Sequence, residues 1–385
     1  MLSFRYRCSE CGRHYAIDPQ TLLCPDCCAE QRPREPLRGI LEVEITGDPP
    51  GRGEWSVFDL LPVEGSWFPS IPVGNTPLWE PQRMRDLLGI PGLYIKDDTL
   101  NPTGSLKDRA SFLVSAFARS RGITRIVVAS TGNAGSSMAG VGAAAGLEVR
   151  LYLPASAPAA KLTQAMQYGA DVIRVEGSYD DAFAQALAYT REHGGLSRNT
   201  GYNPLTIEGK KSVSLEIFQQ LRMRSPDYLF LSAGDGVILS GVYKGFEDLV
   251  RLGFAEKVPT ICMVQAEGSA AISRALETGS FGEPVAAHTI ADSISVDVPS
   301  AGYFALQRLR NHGGRAIVVS DEAILEAQHR LASLTGLFSE PAAAAAAAGL
   351  FEIAEELPRD ATVVLLITGS GLKDIDSARK GVGLA

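Results

Sequence analysis

Long hydrophobic runs, an excess of positive charge and evenly spread cysteines are all missing from this chain of 385 residues. Because no apolar run reaches transmembrane length and the N-terminus has no apolar signal core, we expect a cytoplasmic protein with no membrane partner. The formal net charge of -8 argues against a nucleic-acid partner. With 45% hydrophobic and 21% charged residues, the chain is typical of a globular protein, long enough for two or three domains.

Five of the six cysteines fall within residues 8–28, and their spacing is typical of a metal site. Two pairs of cysteines, each separated by two residues, stand a short loop apart, as in the two knuckles of a zinc ribbon. The pattern predicts a structural zinc ion held by the thiolates of Cys8, Cys11, Cys24 and Cys27. Cys28 is an alternative to Cys27, and His14 is a fallback ligand. A degenerate ribbon that has lost its metal is the other interpretation.

Short apolar runs alternate with helical stretches over most of the chain, which predicts a doubly wound α/β fold with mostly parallel sheets. We predict a zinc-ribbon-like segment at 1–38 and two doubly wound, three-layer domains at 39–225 and 226–385 that interleave. The Pro- and Arg-rich stretch EQRPREPLRG is typical of a linker. The alanine run 342–348 favours a helix packed closely against a neighbour.

The stretch NPTGSLKDRA, residues 101–110, places one lysine, Lys107, behind a proline and a glycine. By itself it fits an ordinary turn and helix start, with Ser105 as the cap. It also fits a turn that presents the amine of Lys107 to a ligand, with Asp108 and Arg109 anchoring the following helix. The rest of the chain has to decide between these interpretations.

Three glycine-containing turns follow apolar strands, at the end of the strand where open α/β sheets bind ligands. In residues 127–137, backbone N–H groups can hold a carboxylate, and the Asn133 amide can reach a ring oxygen. In residues 365–374, the Thr368 hydroxyl can meet a neutral ring nitrogen. The turn within residues 229–246 suits one phosphate at a helix N-terminus. The candidate phosphate-binding residues there are Gly234, Asp235, Gly236, Val237 and Ile238.

Each of these turns alone is also an ordinary strand-to-helix connection, but together with the lysine they fit one cofactor. The phosphate turn matches neither a Walker A motif nor the GxGxxG fingerprint, so ATP and NAD are not indicated. An aldehyde for Lys107, one phosphate, a ring oxygen and a ring nitrogen describe pyridoxal 5'-phosphate (PLP), which would be attached covalently to Lys107. A ring nitrogen that faces a hydroxyl stays unprotonated, which favours elimination and replacement over transamination.

Several motifs resemble those of the threonine synthase family, which belongs to the tryptophan synthase β-like, fold type II PLP enzymes. NPTGSLKDRA resembles the cofactor-lysine motif of that family, STGNAGSS its Asn loop and TGSGLKD its ring-nitrogen motif. SGVYKGF is similar to the segment after its phosphate loop. The resemblance covers nearly the whole chain, including the CxxC pair near the N-terminus that many members have.

The resemblance implies a role for each matching position. Lys107 carries the cofactor and shuttles protons, Asn133 binds the ring oxygen, and Thr368 faces the ring nitrogen. The loop from Gly234 to Ile238 holds the cofactor phosphate. A small amino acid is the implied substrate, and a homodimer is the implied assembly. The residues that help to seat the substrate carboxylate are Ser130 and Thr131.

Two positions depart from the family pattern where the substrate phosphate is bound. Thr206, a candidate substrate residue, stands where the family usually has an arginine, and Ser295 replaces another arginine, with Asp297 nearby. The loss of two cations and the gain of a carboxylate weaken binding of a dianionic phosphate ester.

The whole-chain resemblance predicts a PLP-dependent lyase that converts O-phosphohomoserine and water to threonine and phosphate. The departures favour an alternative, an enzyme that eliminates or replaces a β-substituent, such as a dehydratase, an ammonia-lyase or a cysteate-synthase-like enzyme. A zinc-ribbon binding protein with an inactive enzyme-like body is a third possibility. The intact Lys107, Asn133 and Thr368 argue against the third.

Overall fold

The computed structural model describes residues 2–51, 55–155 and 159–384. Most of its strands from residue 125 onward follow the apolar runs from which the α/β organisation was predicted. In chain order, the strands are β1 (Leu2–Cys8), β2 (His14–Tyr15), β3 (Leu41–Gly47), β4 (Leu78–Trp79), β5 (Leu93–Asp97), β6 (Arg125–Ala129), β7 (Glu148–Pro154), β8 (Asp171–Val175), β9 (Leu196–Ser197), β10 (Tyr228–Ser232), β11 (Thr260–Ala266), β12 (Arg315–Val319) and β13 (Val363–Ile367).

Helices separate most of the strands, as the alternating pattern predicted. They are α1 (Pro25–Cys28), α2 (Gln82–Leu88), α3 (Lys107–Ser120), α4 (Asn133–Ala144), α5 (Ala159–Gln167), α6 (Tyr179–His193), α7 (Leu205–Lys210), α8 (Ser212–Gln220), α9 (Val237–Arg251), α10 (Ala271–Thr278), α11 (Gly302–Asn311), α12 (Asp321–Thr335), α13 (Pro341–Ile353) and α14 (Ile375–Gly381). Within the described ranges, no helix is both long and apolar enough to cross a membrane.

The chain forms two compact units, each assembled from separate segments of the sequence. Unit 1 contains Met1–Glu30, Arg38–Gly74 and Asn101–Ser212. Unit 2 contains Gln31–Leu37, Asn75–Leu100 and Val213–Ala385. The boundaries proposed from the sequence, after residues 38 and 225, stay a proposal about how the chain divides into domains.

Unit 1 holds two sheets. The N-terminal sheet has the antiparallel order β2-β1-β3, and all seven residues of β1 pair with β3, so this sheet extends past the cysteine segment. The other sheet is parallel, with the order β8-β7-β6-β9. The chain leaves β6 toward β7 on one side and returns to β9 on the other, so the strand order reverses at β6.

Unit 2 is built on one six-stranded sheet with the order β12-β11-β10-β13-β5-β4. All of its pairs are parallel except the short edge pair of β4 with β5. The order reverses between β10 and β13, which are neighbours although about 130 residues separate them in the sequence. The predicted mostly parallel α/β organisation is therefore confirmed in both units.

The alanine run forms part of α13, and every alanine from 342 to 348 is buried. The helix packs on the sheet of unit 2 at close range, since a Cβ on Gly349 would lie 2.4 Å from Val264 Cγ2. A larger side chain at these positions would force backbones apart. The predicted close packing is confirmed.

Replacing Ala345 by leucine is expected to lower the free energy of unfolding by about 1–3 kcal/mol or more, because the added carbons find no space beside the sheet. Chemical denaturation, monitored by circular dichroism, measures the change in the free energy of unfolding. Ala188→Leu is the matched control, since Ala188 is exposed in α6 and the same side chain there meets solvent. Equal effects of the two substitutions would contradict tight packing of α13.

Most of the stretch predicted to be a linker is part of unit 2 and is hydrogen-bonded to it. Residues 31–37 belong to unit 2, although the residues on both sides of them in the sequence belong to unit 1. The backbone N–H of Leu37 donates to the Ser300 carbonyl at 3.0 Å. The linker prediction is therefore corrected, because this segment is held by specific hydrogen bonds.

Candidate active site

Lys107 is the first residue of α3 in unit 1 and is half-buried. Leu106 is the N-cap, and no side chain caps the helix, so the predicted capping by Ser105 is wrong. The Ser105 hydroxyl is instead buried and has no hydrogen-bond partner among the described residues. An unsatisfied buried hydroxyl next to the candidate lysine is what a site for a polar ligand would leave in a ligand-free protein.

The turn before Lys107 is held by its own polar groups. The Asp108 carboxylate accepts hydrogen bonds from the backbone N–H of Thr103 at 2.8 Å and from the Thr103 hydroxyl. The Arg109 guanidinium donates to the Ser212 hydroxyl at 3.1 Å. These contacts fit the anchoring that was predicted for Asp108 and Arg109, and they fix where the lysine leaves the backbone.

Two helices pack at glycines, one against this turn and the other against the first residues of α3. A Cβ on Gly140 of α4 would lie 2.6 Å from Thr103 Cγ2. A Cβ on Gly209 of α7 would lie 2.5 Å from the Arg109 carbonyl oxygen. Because side chains at these positions would displace the turn, close backbone approach holds the start of α3 rigidly.

The Asn loop follows β6, at the strand where the order of the parallel sheet in unit 1 reverses. Asn133 is buried and begins α4. The Ser130 hydroxyl accepts from the backbone N–H groups of Gly132 at 3.2 Å and Gly135 at 3.0 Å, whereas Thr131 is half-exposed. Asn133 and Lys107 thus begin two helices, α4 and α3, that pack against each other in the same unit.

Asn199 is a site candidate that the sequence reasoning missed. It follows β9, next to the Asn loop, and its side-chain oxygen accepts from the Ala129 N–H at 2.8 Å. Its Nδ2 is buried and has no partner among the described residues. Its position just after a strand could have marked it as a site residue, but β9 has only two residues and is hard to recognise from sequence.

Thr206 lies in α7 of unit 1 and is fully buried. Its hydroxyl donates to the Asn203 carbonyl at 2.7 Å and accepts from the Gly201 N–H at 3.1 Å. Both hydrogen-bonding functions are thus used within the protein. The substrate role predicted for Thr206 stays a prediction.

The glycine turn of unit 2 connects β10 to α9. Gly236 has φ of +80°, which favours glycine, and it is the N-cap of a 15-residue helix. The Asp235 carboxylate accepts from the Val237 N–H at 2.9 Å. The next two N–H groups, of Ile238 and Leu239, have no acceptor one turn earlier in the helix, as at every helix N-terminus. They are donors for an anion.

Thr368 directly follows β13 and is buried. Because β13 and β10 are parallel neighbours, Thr368 and the glycine turn lie at the same edge of the sheet, where its strand order reverses. Glu340, which the sequence reasoning missed, lies beside this position. Its N–H donates to the Gly369 carbonyl at 3.0 Å, and a Cβ on Gly369 would overlap the Glu340 carboxylate.

The residues present in each unit fit PLP. Unit 1 offers a half-buried primary amine at Lys107 beside an unsatisfied hydroxyl at Ser105. Unit 2 offers a helix N-terminus for a phosphate and a buried hydroxyl at Thr368. The carboxylate of Asp235 occupies one N–H of that helix, so the phosphate would depend on the remaining donors and on Gly236.

A family model described as pyridoxal-phosphate dependent enzyme matches residues 70–369. The chain belongs to this family. The match includes every candidate cofactor residue, from Lys107 to Thr368. The prediction of a PLP-dependent enzyme similar to threonine synthase is therefore confirmed at the level of the family.

This PLP-dependent enzyme is similar to threonine synthases over most of its length. It is 34% identical to threonine synthase from Methanosarcina acetivorans, over 96% of this chain and 92% of the relative. It is also 34% identical to threonine synthase from Methanocaldococcus jannaschii, over 97% of this chain and 93% of the relative. Threonine synthase from Mycobacterium tuberculosis is 35% identical over 84% of this chain and 88% of the relative.

Solved structures support the fold. Threonine deaminase from T.th. superposes with a TM-score of 0.67 and 26% identity, covering 77% of this chain and 92% of that one. Isoform 2 of threonine deaminase from Solanum lycopersicum has a TM-score of 0.69 and 21% identity, covering 80% and 88%. The PLP fold type II prediction is confirmed, although the neighbours include enzymes with reactions other than that of threonine synthase.

The four predicted cysteine ligands come together in unit 1 of this PLP-dependent enzyme. The sulfur atoms of Cys8, Cys11, Cys24 and Cys27 all lie within 4.8 Å of one another. The Cys8–Cys27 and Cys11–Cys24 sulfur pairs are each 3.7 Å apart. A tetrahedral site with Zn–S bonds of about 2.3 Å requires sulfur atoms about 3.8 Å apart, so this geometry fits zinc.

The thiols of the cluster differ in how readily they ionise. Burial raises the pKa of Cys8 to about 11. Burial also opposes ionisation of Cys24, but hydrogen bonds, first from the Tyr15 hydroxyl 3.0 Å from its sulfur, lower its pKa to about 7. The Cys28 sulfur is directed to the Pro25 carbonyl at 3.6 Å, so it lies outside the set of four.

Proposed function

We propose that this chain is a lyase of the threonine synthase kind, which converts O-phosphohomoserine and water to threonine and phosphate. The observation that carries the proposal is the 34% identity with a threonine synthase over 96% of this chain. A match of that extent includes every turn that carries a predicted site residue. We also propose that the enzyme is a homodimer, as the resemblance implies, and that it is cytoplasmic.

Lys107 is the proposed catalytic residue. Its amine would hold the cofactor covalently and, when free, would remove the proton from the substrate α-carbon and return protons later. Bound PLP supplies an electron sink that stabilises negative charge at that carbon. The packing of Gly140 and Gly209 against the turn supports this role, because a proton-transfer group has to be held within hydrogen-bond reach.

The remaining residues bind and orient. Backbone N–H groups between Gly234 and Ile238 would hold the cofactor phosphate, and the Asn133 amide would donate to the ring oxygen. The Thr368 hydroxyl would face the ring nitrogen. A neutral hydroxyl would not stabilise a protonated ring nitrogen, which favours elimination and replacement. Ser130 and Thr131 help to seat the substrate carboxylate.

A second candidate is an enzyme that eliminates or replaces a β-substituent on a smaller, less anionic amino acid. The hydrogen bonds of Thr206 favour it, since that hydroxyl is used by Asn203 and Gly201 and a threonine carries no positive charge. Asp297 adds a carboxylate that is held by the Ala287 N–H at 2.7 Å. A dianionic phosphate ester would gain little from either position.

A substrate panel separates the two candidates. The PLP-loaded enzyme is given O-phosphohomoserine, serine, threonine or O-phosphoserine, and the released phosphate, threonine and 2-oxo acids are measured. We expect phosphate and threonine in equal amounts from O-phosphohomoserine, with turnover at least about tenfold faster than of the other three.

The cofactor-free protein is the blank for this panel. Formation of 2-oxo acid from serine or threonine, without phosphate release from O-phosphohomoserine, would sink the leading proposal and support the second. No turnover of any of the four, in a protein that still binds PLP, would count against both.

We further propose that Cys8, Cys11, Cys24 and Cys27 hold a structural zinc ion. The sulfur spacing of 3.7 Å supports tetrahedral coordination. Four protein ligands leave no open position for a substrate, so the ion would order the N-terminal segment and take no part in catalysis.

A further inference from the structure

The glycine turn of unit 2 is shaped by the segment that precedes α11. The Asp235 carbonyl accepts a hydrogen bond from the Ala301 N–H at 2.8 Å. A Cβ on Gly234 would lie 2.7 Å from Ile294 Cα, and one on Gly236 would lie 3.3 Å from the Ala301 carbonyl oxygen. The turn therefore has no room to move unless this segment moves with it.

The other side of the same segment is held by residues 31–37, which we call the strap. The Leu37 N–H donates to the Ser300 carbonyl at 3.0 Å. The Tyr303 hydroxyl donates to the Glu35 carboxylate at 3.0 Å. The strap thus bonds to the residues directly before and after Ala301 and Gly302, at the start of α11.

The contact between the strap and the helix start is also close in steric terms. A Cβ on Gly302 would lie 2.9 Å from Pro36 Cγ and 2.7 Å from Phe281 Cζ. The rings of Phe281 and Tyr303 meet edge to face, with centroids 5.4 Å apart. Only a residue without a side chain lets the strap approach so closely at this point.

The strap has a defined shape of its own. The Gln31 side-chain amide lies within 3.1 to 3.3 Å of three strap carbonyls, those of Arg32, Glu35 and Pro36. The Arg32 N–H donates to the Glu35 carboxylate at 2.8 Å, so Glu35 bonds both to the strap and to Tyr303. A segment with a fixed conformation can hold the start of α11 in place, whereas a flexible linker cannot.

We propose that the strap is a positioning segment for the glycine turn, and that it sets the affinity for the phosphate group of the cofactor. The path of contacts runs from Glu35, Pro36 and Leu37 through Ser300–Tyr303 to the Asp235 carbonyl. The inference rests on the proposed role of Gly234–Ile238 in holding that phosphate. Tyr303 and Gly302 are the positioning residues on this path.

Binding of PLP compared with binding of pyridoxal, which lacks the phosphate, tests the proposal. Gly302→Ala adds a Cβ that would overlap Pro36 of the strap and Phe281. Tyr303→Phe removes only the hydroxyl that donates to Glu35. Gly282→Ala is the matched control, since Gly282 lies between α10 and α11 and a Cβ there meets nothing within 4 Å. Dissociation constants come from absorption titrations of the cofactor-free protein, and thermal unfolding checks that each variant is folded.

We expect Gly302→Ala to weaken PLP binding at least about tenfold and Tyr303→Phe about threefold, because one displaces the turn and the other removes one hydrogen bond. Pyridoxal binding should change less than about twofold in both, and Gly282→Ala should change neither. The double variant should lose less than the product of the single effects, since both act through the strap.

Three results would overturn the inference. PLP and pyridoxal weakened equally would mean a general loss of structure. If both variants keep the wild-type preference for PLP over pyridoxal, the strap does not set the affinity for the phosphate. The turn could still bind the phosphate in that case. A wild type that binds PLP and pyridoxal equally would contradict that phosphate role itself, and the inference with it.

Discussion

Replacing Lys107 by alanine is expected to abolish covalent attachment of PLP and to lower turnover at least about 1,000-fold, because in our proposal the same amine attaches the cofactor and moves the substrate proton. The visible absorption band of the bound cofactor should disappear. Borohydride reduction followed by peptide mapping should label residue 107 in the wild type and nothing in the variant.

Neighbouring lysines are not expected to replace Lys107. Lys210 and Lys211 are both fully buried in the same unit. The Lys210 amine donates to the Thr206 carbonyl at 3.2 Å, and the Lys211 amine pairs with the Glu208 carboxylate. Removing either amine from its partner would leave a buried group unsatisfied, which costs about 1–3 kcal/mol or more.

The control for Lys107 is Lys257→Ala, which removes an exposed lysine from unit 2. That variant should keep the absorption band, the label and the activity of the wild type. Labelling of a second lysine in the Lys107 variant, or turnover within tenfold of the wild type, would contradict the assignment of Lys107.

Replacing Cys27 by serine is expected to lower zinc affinity more than about 100-fold. Even substitution of a residue that only hydrogen-bonds to a metal ligand lowers metal affinity about 10–100-fold, and loss of a ligand costs more. Cys28→Ser should leave the zinc content unchanged, because only the Cys27 sulfur lies within 4.8 Å of those of Cys8, Cys11 and Cys24. Metal analysis of the purified proteins, with a competing chelator to rank affinity, measures both effects.

This pair of adjacent cysteines is a matched test. Both variants make the same change of sulfur to oxygen, one residue apart in α1. Loss of zinc in the Cys28 variant and its retention in the Cys27 variant would exchange their roles. Wild-type protein that binds no zinc would mean that the ribbon has lost its metal. Metal loss should also destabilise the N-terminal sheet, since structural zinc contributes directly to folding.

Several features could be predicted from the sequence because their physical causes are local. The cysteine spacing indicates metal ligands within a short stretch, and the β-α alternation indicates parallel sheets without any knowledge of strand order. The alanine run 342–348 suits a helix because small side chains allow close approach. Pro102 and Gly104 marked the turn before Lys107, whatever surrounds it.

Other features required partners that are distant in the sequence. The pairing of β1 with β3 joins strands more than thirty residues apart, and neither strand was predicted. Asn199 follows a strand of two residues, and Glu340 acquires its place beside Thr368 through Gly369. Strap residues 31–37 have a linker's composition, but their hydrogen bonds to Ser300 and Tyr303 give them a defined position.

The sequence by itself determined which residues are candidates for the chemistry of this protein, because a lysine behind a tight turn, a glycine-opened helix and paired cysteines have properties that depend on local composition. The tertiary structure decided where those residues lie. Parallel pairing of β10 with β13 puts the glycine turn and Thr368 at one edge of a sheet. That order depends on long-range packing of buried strands, and apolar strands of similar composition do not encode their own neighbours.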